Sequence, residues 1–168
     1  MKRSGAIRAT LAAIMAVVAV AVSEPAASAA EPTTTTHYAA GIACPFALKV
    51  EQSGAAPFKS FTDKNGNVVR LLHAGKGLDT LFTNEDSGAT LFLKANGAVT
   101  RITILPDGSA RYELAGHNIL ILFPTDIPAG PSTTLYVGRV VFTADASANF
   151  TVQSVAPNST DICAALSH

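Results

Sequence analysis

Tryptophan is absent from this sequence, and the only aromatic residues are Tyr38, Tyr112, Tyr136 and eight phenylalanines. Broad aromatic platforms of the kind that many sugar-binding sites use are therefore in short supply. Cysteine is scarce as well, with Cys44 and Cys163 alone. No Cys-x-x-Cys, His-x-His or His-Glu-x-x-His spacing is present, and these are the spacings that redox and zinc sites need. The sequence thus predicts no metal site and no cofactor.

Catalytic motifs are missing too. No Gly-x-Ser-x-Gly segment is present to supply an activated serine. The segment from Asp63 to Asn67 has oxygen-bearing side chains at alternate positions, as a calcium loop does. Its glycine comes two positions too early and no glutamate closes the loop, so a hairpin turn explains it better. We therefore predict no catalytic residue from local spacing.

The first thirty residues have the three parts of a secretory signal peptide. Lys2, Arg3 and Arg8 precede an apolar run over 9–22, and small residues follow at 26–30. That run of about 14 residues is shorter than the roughly 20 that a membrane-spanning helix needs. We predict a signal peptide over 1–30, a secreted, extracellular protein, and no permanent membrane anchor.

Charge in the remaining chain is sparse and nearly balanced. Residues 31–168 contain nine basic and eleven acidic residues, a net charge of −2. Nothing in that total favours nucleic acid or an anionic surface as a partner. The length suits one domain, and we expect a monomer. The sequence identifies neither a ligand nor a partner.

The two cysteines lie near the two ends of this remaining chain. Compartments outside the cytoplasm are oxidising, so a pair of cysteines in an exported chain predicts a disulfide. A bridge between Cys44 and Cys163 would close a loop of about 120 residues and remove on the order of 4 to 5 kcal/mol of unfolded-state entropy. The two ends of the domain should therefore meet.

Short apolar runs separated by turn sequences dominate from residue 44 onward, and no stretch keeps a helical period. They predict about nine or ten strands: 46–53, 58–63, 67–73, 78–83, 90–94, 99–105, 110–114, 119–123, 135–143 and 150–155. The run at 119–123 is apolar at every position and should be covered on both faces. We expect a turn at 116–118, a long loop over 124–132 and a short helical turn over 161–166.

The resulting fold prediction is an all-β antiparallel meander that forms a barrel-like or sandwich domain closed by one disulfide. The single β domain should span 44–168, behind a flexible Thr-rich leader over 31–43. Successive tight turns favour a closed barrel slightly, although the loop over 124–132 would equally serve a crossover between two sheets.

Three functions fit these features. The first is a non-enzymatic extracellular binding or interaction domain that uses loops or a sheet edge. The second is a small secreted hydrolase whose site converges from separate turns, with Asp63, Asp86, Asp107 and His117 as first suspects. The third is a barrel that carries an apolar molecule in a dry cavity lined by Ile102, Ile104, Leu120 and Leu122. We expect His73 and His117 to be surface or turn histidines, and Gly138 to mark a bulge or a close backbone approach.

Several short segments together carry a resemblance. They are Ala43-Cys44-Pro45-Phe46, Thr83-Asn84, Asp107-Gly108-Ser109, 128–131, Gly138-Arg139-Val140 and 161–166. In this combination the chain resembles small exported proteins of actinobacteria that carry no assigned function. The resemblance spans residues 31–168 and rests on turns and cysteine flanks, so it implies no activity.

Overall fold

The computed structural model describes residues 34–168, and in that range the chain is all β apart from one helical turn. The first six strands are β1 (Thr34–Tyr38), β2 (Leu48–Ser53), β3 (Lys59–Thr62), β4 (Val68–Gly75), β5 (Asp79–Asn84) and β6 (Thr90–Leu93). The other six are β7 (Ala98–Ile104), β8 (Ala110–Leu122), β9 (Ser132–Val137), β10 (Val140–Ala144), β11 (Phe150–Ser154) and β12 (Ser159–Asp161), followed by α1 (Ile162–Ala165).

Two antiparallel sheets make up the domain. One has four strands in the order β1-β2-β5-β6. The other has eight: β11-β10-β8-β7-β4-β3 form a path, and β9 joins through β8 and carries β12. The all-β antiparallel prediction is confirmed, and the sheets form a sandwich because they do not close on themselves. The slight preference for a closed barrel was therefore wrong. Tight turns join neighbouring strands equally well in an open sheet.

Strand β8 departs most from the sequence prediction. A turn was expected at 116–118, but the strand runs without a break from Ala110 to Leu122. Gly116 has a φ of +88°, which lets the strand bend there without ending. Before the bend β8 pairs with β7 and β10, and after it β8 pairs with β9. Glycine next to histidine and asparagine suits a bend in a strand as well as a turn, and this ambiguity caused the error.

The second half of β8 lies between two apolar clusters. Ile119 and Ile121 pack against a cluster built on the four-stranded sheet, with Phe82 and Leu48 fully buried in it. Leu120 and the side chains on its face pack against a second cluster: Leu114, Leu122, Val140 and Phe142. The prediction that 119–123 is covered on both faces is therefore confirmed, and this segment joins the two halves of the core.

Regular structure begins earlier in the chain than the sequence pattern predicts. Thr34–Tyr38 form β1, which pairs antiparallel with β2, so the prediction of a flexible leader over 31–43 is wrong for these residues. Threonine and tyrosine favour strands, and the edge of β2 supplies the hydrogen bonds that they need. The predicted signal peptide over 1–30 lies outside the described residues.

The predicted disulfide is present. Cys44 and Cys163 are bonded, with their Cα atoms 5.5 Å apart. Cys163 lies in α1, the predicted helical turn, whose Asp161 side chain accepts a hydrogen bond from the Ala164 amide. The bridge holds the end of the chain against the four-stranded sheet. Among residues 34–168, no helix is long and apolar enough to cross a membrane.

The segment predicted as one strand over 135–143 is two strands in two parts of the sheet. Gly138 separates β9 from β10 with a φ of +136°, and a Cβ placed there would lie 2.7 Å from the Ala156 side chain. The expectation of a close approach at Gly138 is thus confirmed. The strand break was missed because valines on both sides continue the apolar pattern.

Candidate ligand-binding cleft

A cleft of about 390 Å³ opens between the two sheets at one end of the sandwich. The four-stranded sheet contributes the end of β2 and the start of β5, and the other sheet contributes the end of β4, the start of β7 and the middle of β8. The wall is formed by Gln52, Ala56, Phe58, His73, Lys76, Gly77, Leu78, Thr80, Phe92, Leu93, Lys94, Ala95, Asn96, Ala98, Thr100, His117, Asn118, Ile119 and Leu135.

The bend in β8 creates one side of this cleft. Beyond Gly116 the strand leaves the plane of β7, and His117, Asn118 and Ile119 all contribute to the cleft wall. The bend is held by two backbone hydrogen bonds, from the His117 amide to the Gly97 carbonyl (3.0 Å) and from the Gly138 amide to the Gly116 carbonyl (2.9 Å). A Cβ at Gly116 would lie 2.5 Å from the Gly97 oxygen, so this position requires glycine.

His73 is a buried member of the wall, with 5% of its surface exposed. The expectation of a surface histidine was wrong here, because His73 follows Leu71 on the inward face of β4. Its Nδ1 lies 3.0 Å from the Pro57 carbonyl oxygen. A carbonyl only accepts, so Nδ1 carries the proton. In the neutral ring Nε2 is then an acceptor, and this atom has no partner.

Asn118 is the second buried polar side chain in the wall, with 8% of its surface exposed. Its Nδ2 is a donor without a partner. Across residues 34–168, His73 Nε2 and Asn118 Nδ2 are the only buried side-chain nitrogen or oxygen atoms in this condition. Leaving such an atom unbonded costs about 1 to 3 kcal/mol. Both of these unsatisfied atoms therefore belong to side chains of one cleft.

The mouth of the cleft is basic and apolar. Lys76 and Lys94 are exposed there, and no carboxylate is among the wall residues. Asp79 lies beside the cleft, 3.9 Å from the Lys76 Nζ, but it accepts a hydrogen bond from the Ala95 amide and takes no place in the wall. Phe58 and Phe92 expose 49% and 58% of their surfaces. The mouth thus offers positive charge next to two phenyl rings.

His117, one of the four suspected hydrolase residues, does line the cleft. Its Nε2 lies 3.3 Å from Asn96 Nδ2, the donor in that pair. The sequence predicted a turn at His117, but this residue belongs to strand β8. The side chain is therefore placed for contact with a ligand, although no carboxylate orients it.

The three suspected carboxylates do not join His117, so the predicted convergence is wrong. Asp63 and Asp107 lie in the β3–β4 and β7–β8 turns, at the other end of the eight-stranded sheet, and Asp86 lies in the β5–β6 turn at the far end of the four-stranded sheet. Strand direction explains the outcome, because turns that join adjacent antiparallel strands alternate between the two ends of a sheet.

Two of these carboxylates, Asp63 and Asp107, stabilise their own turns by accepting hydrogen bonds. The Asn67 side chain, followed by backbone amides, holds the pKa of Asp63 below its usual value. The Ser109 hydroxyl and amide do the same for the pKa of Asp107. Asp145 in the β10–β11 turn repeats the arrangement: the Asn149 amide and side chain lower its pKa. These carboxylates accept hydrogen bonds from the loops that they close.

The residues predicted to line an apolar cavity do not form one. Leu120 and Leu122 pack into the second apolar cluster, and Ile104 exposes 38% of its surface. None of these, nor Ile102, belongs to the cleft wall. The carrier hypothesis assumed a closed barrel whose strands all face one interior, and an open sandwich lacks such an interior.

No group of three or more metal-ligating side chains is found within residues 34–168. Comparisons with protein-family models, curated proteins and solved structures gave no match.

Proposed function

We propose that this protein is an exported, non-enzymatic binding protein that takes a small hydroxylated organic anion in the cleft between its sheets. Its carboxylate would lie at the mouth near Lys76 and Lys94, and its hydroxyl group would reach the wall at His73 and Asn118. Sugar acids and hydroxylated aromatic acids have this combination of groups.

The two unsatisfied atoms carry this proposal. His73 Nε2 is able to accept a hydrogen bond and Asn118 Nδ2 is able to donate one, and neither atom has a partner. A hydroxyl group can satisfy either kind of atom, because it donates and accepts at once. Both atoms are closed to solvent in the free protein. Binding would therefore need a small side-chain movement, and the new hydrogen bonds would recover the cost of leaving these atoms unbonded.

Charge supports an anion over a neutral ligand. Lys76 and Lys94 are the only fully charged side chains of the wall, and of these Lys76 lies 3.9 Å from the Asp79 carboxylate beside the cleft. A cleft with charge of one sign attracts the opposite charge, and its apolar walls strengthen that attraction. The lack of a carboxylate in the wall also removes the general acid or base that a hydrolase would pair with His117.

Volume and apolar lining limit the size of the ligand. A cleft of about 390 Å³ is at the small end of the range for ligand sites. Phe58 and Phe92 at the mouth and Leu93, Ile119 and Leu135 in the wall suit one ring with its substituents.

Export is supported by two observations. The sequence predicts a signal peptide over 1–30, and the Cys44–Cys163 disulfide is of the kind that persists in oxidising compartments. The net charge of −2 after the signal does not oppose this location.

Thermal unfolding of the protein in the presence of a small panel tests the proposal. The panel pairs each acid with its nearest uncharged or deoxygenated relative: glucuronate with its methyl ester and with glucose, and 4-hydroxybenzoate with benzoate. A ligand at about 100 times its Kd adds about 2.7 kcal/mol to the stability of the folded state. We expect a raised Tm with the hydroxylated acids and little change with their relatives.

Matched variants locate the binding site. Lys94→Gln should weaken binding of the acid by about tenfold, the loss of roughly one charged hydrogen bond. Lys49→Gln removes the same charge from a pair with Glu51 away from the cleft, and should leave binding unchanged. Equal effects of both variants, or Tm shifts that ignore the carboxylate, would refute the proposal.

A further inference from the structure

All four arginines of residues 34–168 lie on or beside the outward face of the eight-stranded sheet. Arg70, Arg101 and Arg111 are in β4, β7 and β8, and Arg139 directly precedes β10. Lys59 in β3 adds a fifth cation. In the six strands from β11 to β3 before the bend of β8, the only acidic residue is Glu113. The nearly neutral total of the chain therefore hides a strongly basic face, which we call the arginine face.

Strand register places these side chains together. Arg70 pairs with Thr103, and Thr103 pairs with Arg111, so the three form one row across β4, β7 and β8. Arg101 pairs with Glu113 in the next row. Directly paired residues of a sheet point to the same face. That face is opposite the one that carries His73 toward the cleft, because side chains alternate along each strand.

Glu113 separates three of the cations. It receives hydrogen bonds from Arg101 (3.2 Å) and Arg139 (2.9 Å), and Arg111 lies 3.6 Å away. Partial burial opposes its charged form, but those arginines outweigh that effect and hold the pKa of Glu113 below its usual value. Within the strands of this face five cations accompany one carboxylate, and Asp63, Asp107 and Asp145 lie in turns at one end of the sheet, where they accept hydrogen bonds from their own loops. Arg101 and Arg139 already bind one carboxylate, that of Glu113.

We propose that the arginine face binds a linear acidic polysaccharide. The cations extend from Lys59 on β3 to Arg139 beside β10, across five adjacent strands and about 20 Å. A chain of sugar units carries its carboxylates at separate, regular points, and guanidinium groups bind carboxylates in bidentate geometry. Thr103 and Thr143 lie among the cations and offer partners for sugar hydroxyls, and the Gln153 side-chain oxygen accepts a hydrogen bond from Arg111 (2.6 Å).

Other polyanions fit this face less well. Single-stranded nucleic acid needs open aromatic rings for base stacking, whereas Phe61 on this face is covered by Arg70 and Lys59, 4.3 and 5.3 Å from its ring centre. A surface that inserts into a membrane needs a continuous apolar ridge, whereas on this face Arg70 and Arg101 follow the exposed Val68 and Val99 on their strands. Binding by charge and hydroxyl contacts needs no tryptophan, and the chain has none.

Retention on immobilised alginate, a carboxylated linear polysaccharide, tests the proposal with the protein expressed from its full-length chain. Immobilised dextran, which is neutral, serves as the matrix control. We expect retention on alginate alone, and release when the salt concentration rises from about 0.05 M to about 0.5 M. The variant R70Q/R111Q should lose affinity about tenfold or more. The variant K49Q/K64Q has the same net charge but alters no strand of the arginine face, and its affinity should stay within about twofold.

E113Q gives a second readout that a purely structural ion cluster would not. Removing the central carboxylate releases Arg101, Arg111 and Arg139 for the polymer, so affinity for alginate should rise several-fold. Thermal unfolding of each variant confirms that it is folded. No retention of the native protein, equal losses in the two double variants, or tighter binding to duplex DNA or to phosphatidylglycerol vesicles than to alginate would overturn the proposal.

Discussion

The two ends of this sandwich differ in whether their polar side chains have hydrogen-bond partners. At the far end of the eight-stranded sheet, Asp63, Asp107 and Asp145 accept hydrogen bonds from the loops that carry them. At the far end of the four-stranded sheet, a disulfide joins the chain to itself. At the cleft end, His73 and Asn118 are buried with a polar atom unbonded.

This difference distinguishes polar groups that stabilise the fold from polar groups that remain available to a ligand. A carboxylate that closes its own turn gains everything that it needs from the fold. A buried donor or acceptor without a partner weakens the fold, and such atoms are few in native proteins. Their restriction to one cleft is what makes the cleft a better functional candidate than the acidic turns, although the turns contain more charge.

The disulfide should give the largest effect on stability, because it closes a loop over a sequence separation of 119 residues. Replacing Cys44 and Cys163 together by serine is expected to lower the free energy of unfolding by about 4 kcal/mol, measured by urea denaturation. Ligand binding at the cleft, measured where the variant is still folded, should not change. A loss of binding in the folded variant would show that the two ends are coupled.

The bend at Gly116 should give the next largest effect. Gly116→Ala puts a Cβ within 2.5 Å of the Gly97 oxygen at a positive φ, and should cost about 2 to 4 kcal/mol. Gly108→Ala, in the β7–β8 turn, is the matched control. It also has a positive φ, but nothing lies within 4 Å of its Cβ position, so the cost should be about 1 to 2 kcal/mol. Equal costs would mean that the close approach at the bend does not constrain the chain.

Two buried asparagines sharpen the comparison further. Asn84 is satisfied: its Nδ2 donates to the Leu166 carbonyl and its Oδ1 accepts from the Asp86 amide. Asn84→Leu should therefore cost about 2 kcal/mol. Asn118→Leu removes an unsatisfied donor and should be neutral or stabilising by about 1 kcal/mol, while ligand binding is lost. Denaturation and ligand titration of both variants measure this, and a strongly destabilised Asn118→Leu would remove the basis of the proposed site.

Low pH should destabilise the turns that contain Asp63, Asp107 and Asp145. Of the four predicted effects on stability, this one should be the smallest. The pKa values of Asp63, Asp107 and Asp145 are lowered in the folded state. A lowered pKa contributes stability above the unfolded value of 3.8, and that stability is lost as pH falls through the folded value. The Tm should therefore fall below about pH 4. In the variant with all three changed to asparagine the fall should be shallower, and an unchanged acid profile would contradict the role given to these turns.

Much of the fold follows from sequence patterns, and the exceptions have physical causes. Alternation and turn signals predict β2 to β7 because each strand ends where its turn begins. They fail at Gly116 and Gly138, because a glycine with positive φ suits a turn, a bend or a strand break. Choosing among these requires knowing which strand lies alongside, and that is tertiary information.

The cleft was harder to predict than the fold. His117 was named as a candidate, and alternation from Leu71 would have placed His73 on the buried face of β4. Neither signal shows that Asn118 faces the same space, because it lies beyond the bend. The arginine face was missed for a similar reason: net charge sums over the chain, whereas strand register decides which side chains share a face.

Nitrogen-15 NMR of the protein during titration with glucuronate tests the central claim most directly. The account predicts that the Asn118 side-chain amide and the His73 Nε2 resonances shift together with the backbone amides of the cleft, as both atoms gain a hydrogen-bond partner. Cleft amides that shift while Asn118 Nδ2 and His73 Nε2 stay unchanged, or a spectrum that does not respond to any hydroxylated acid, would contradict it.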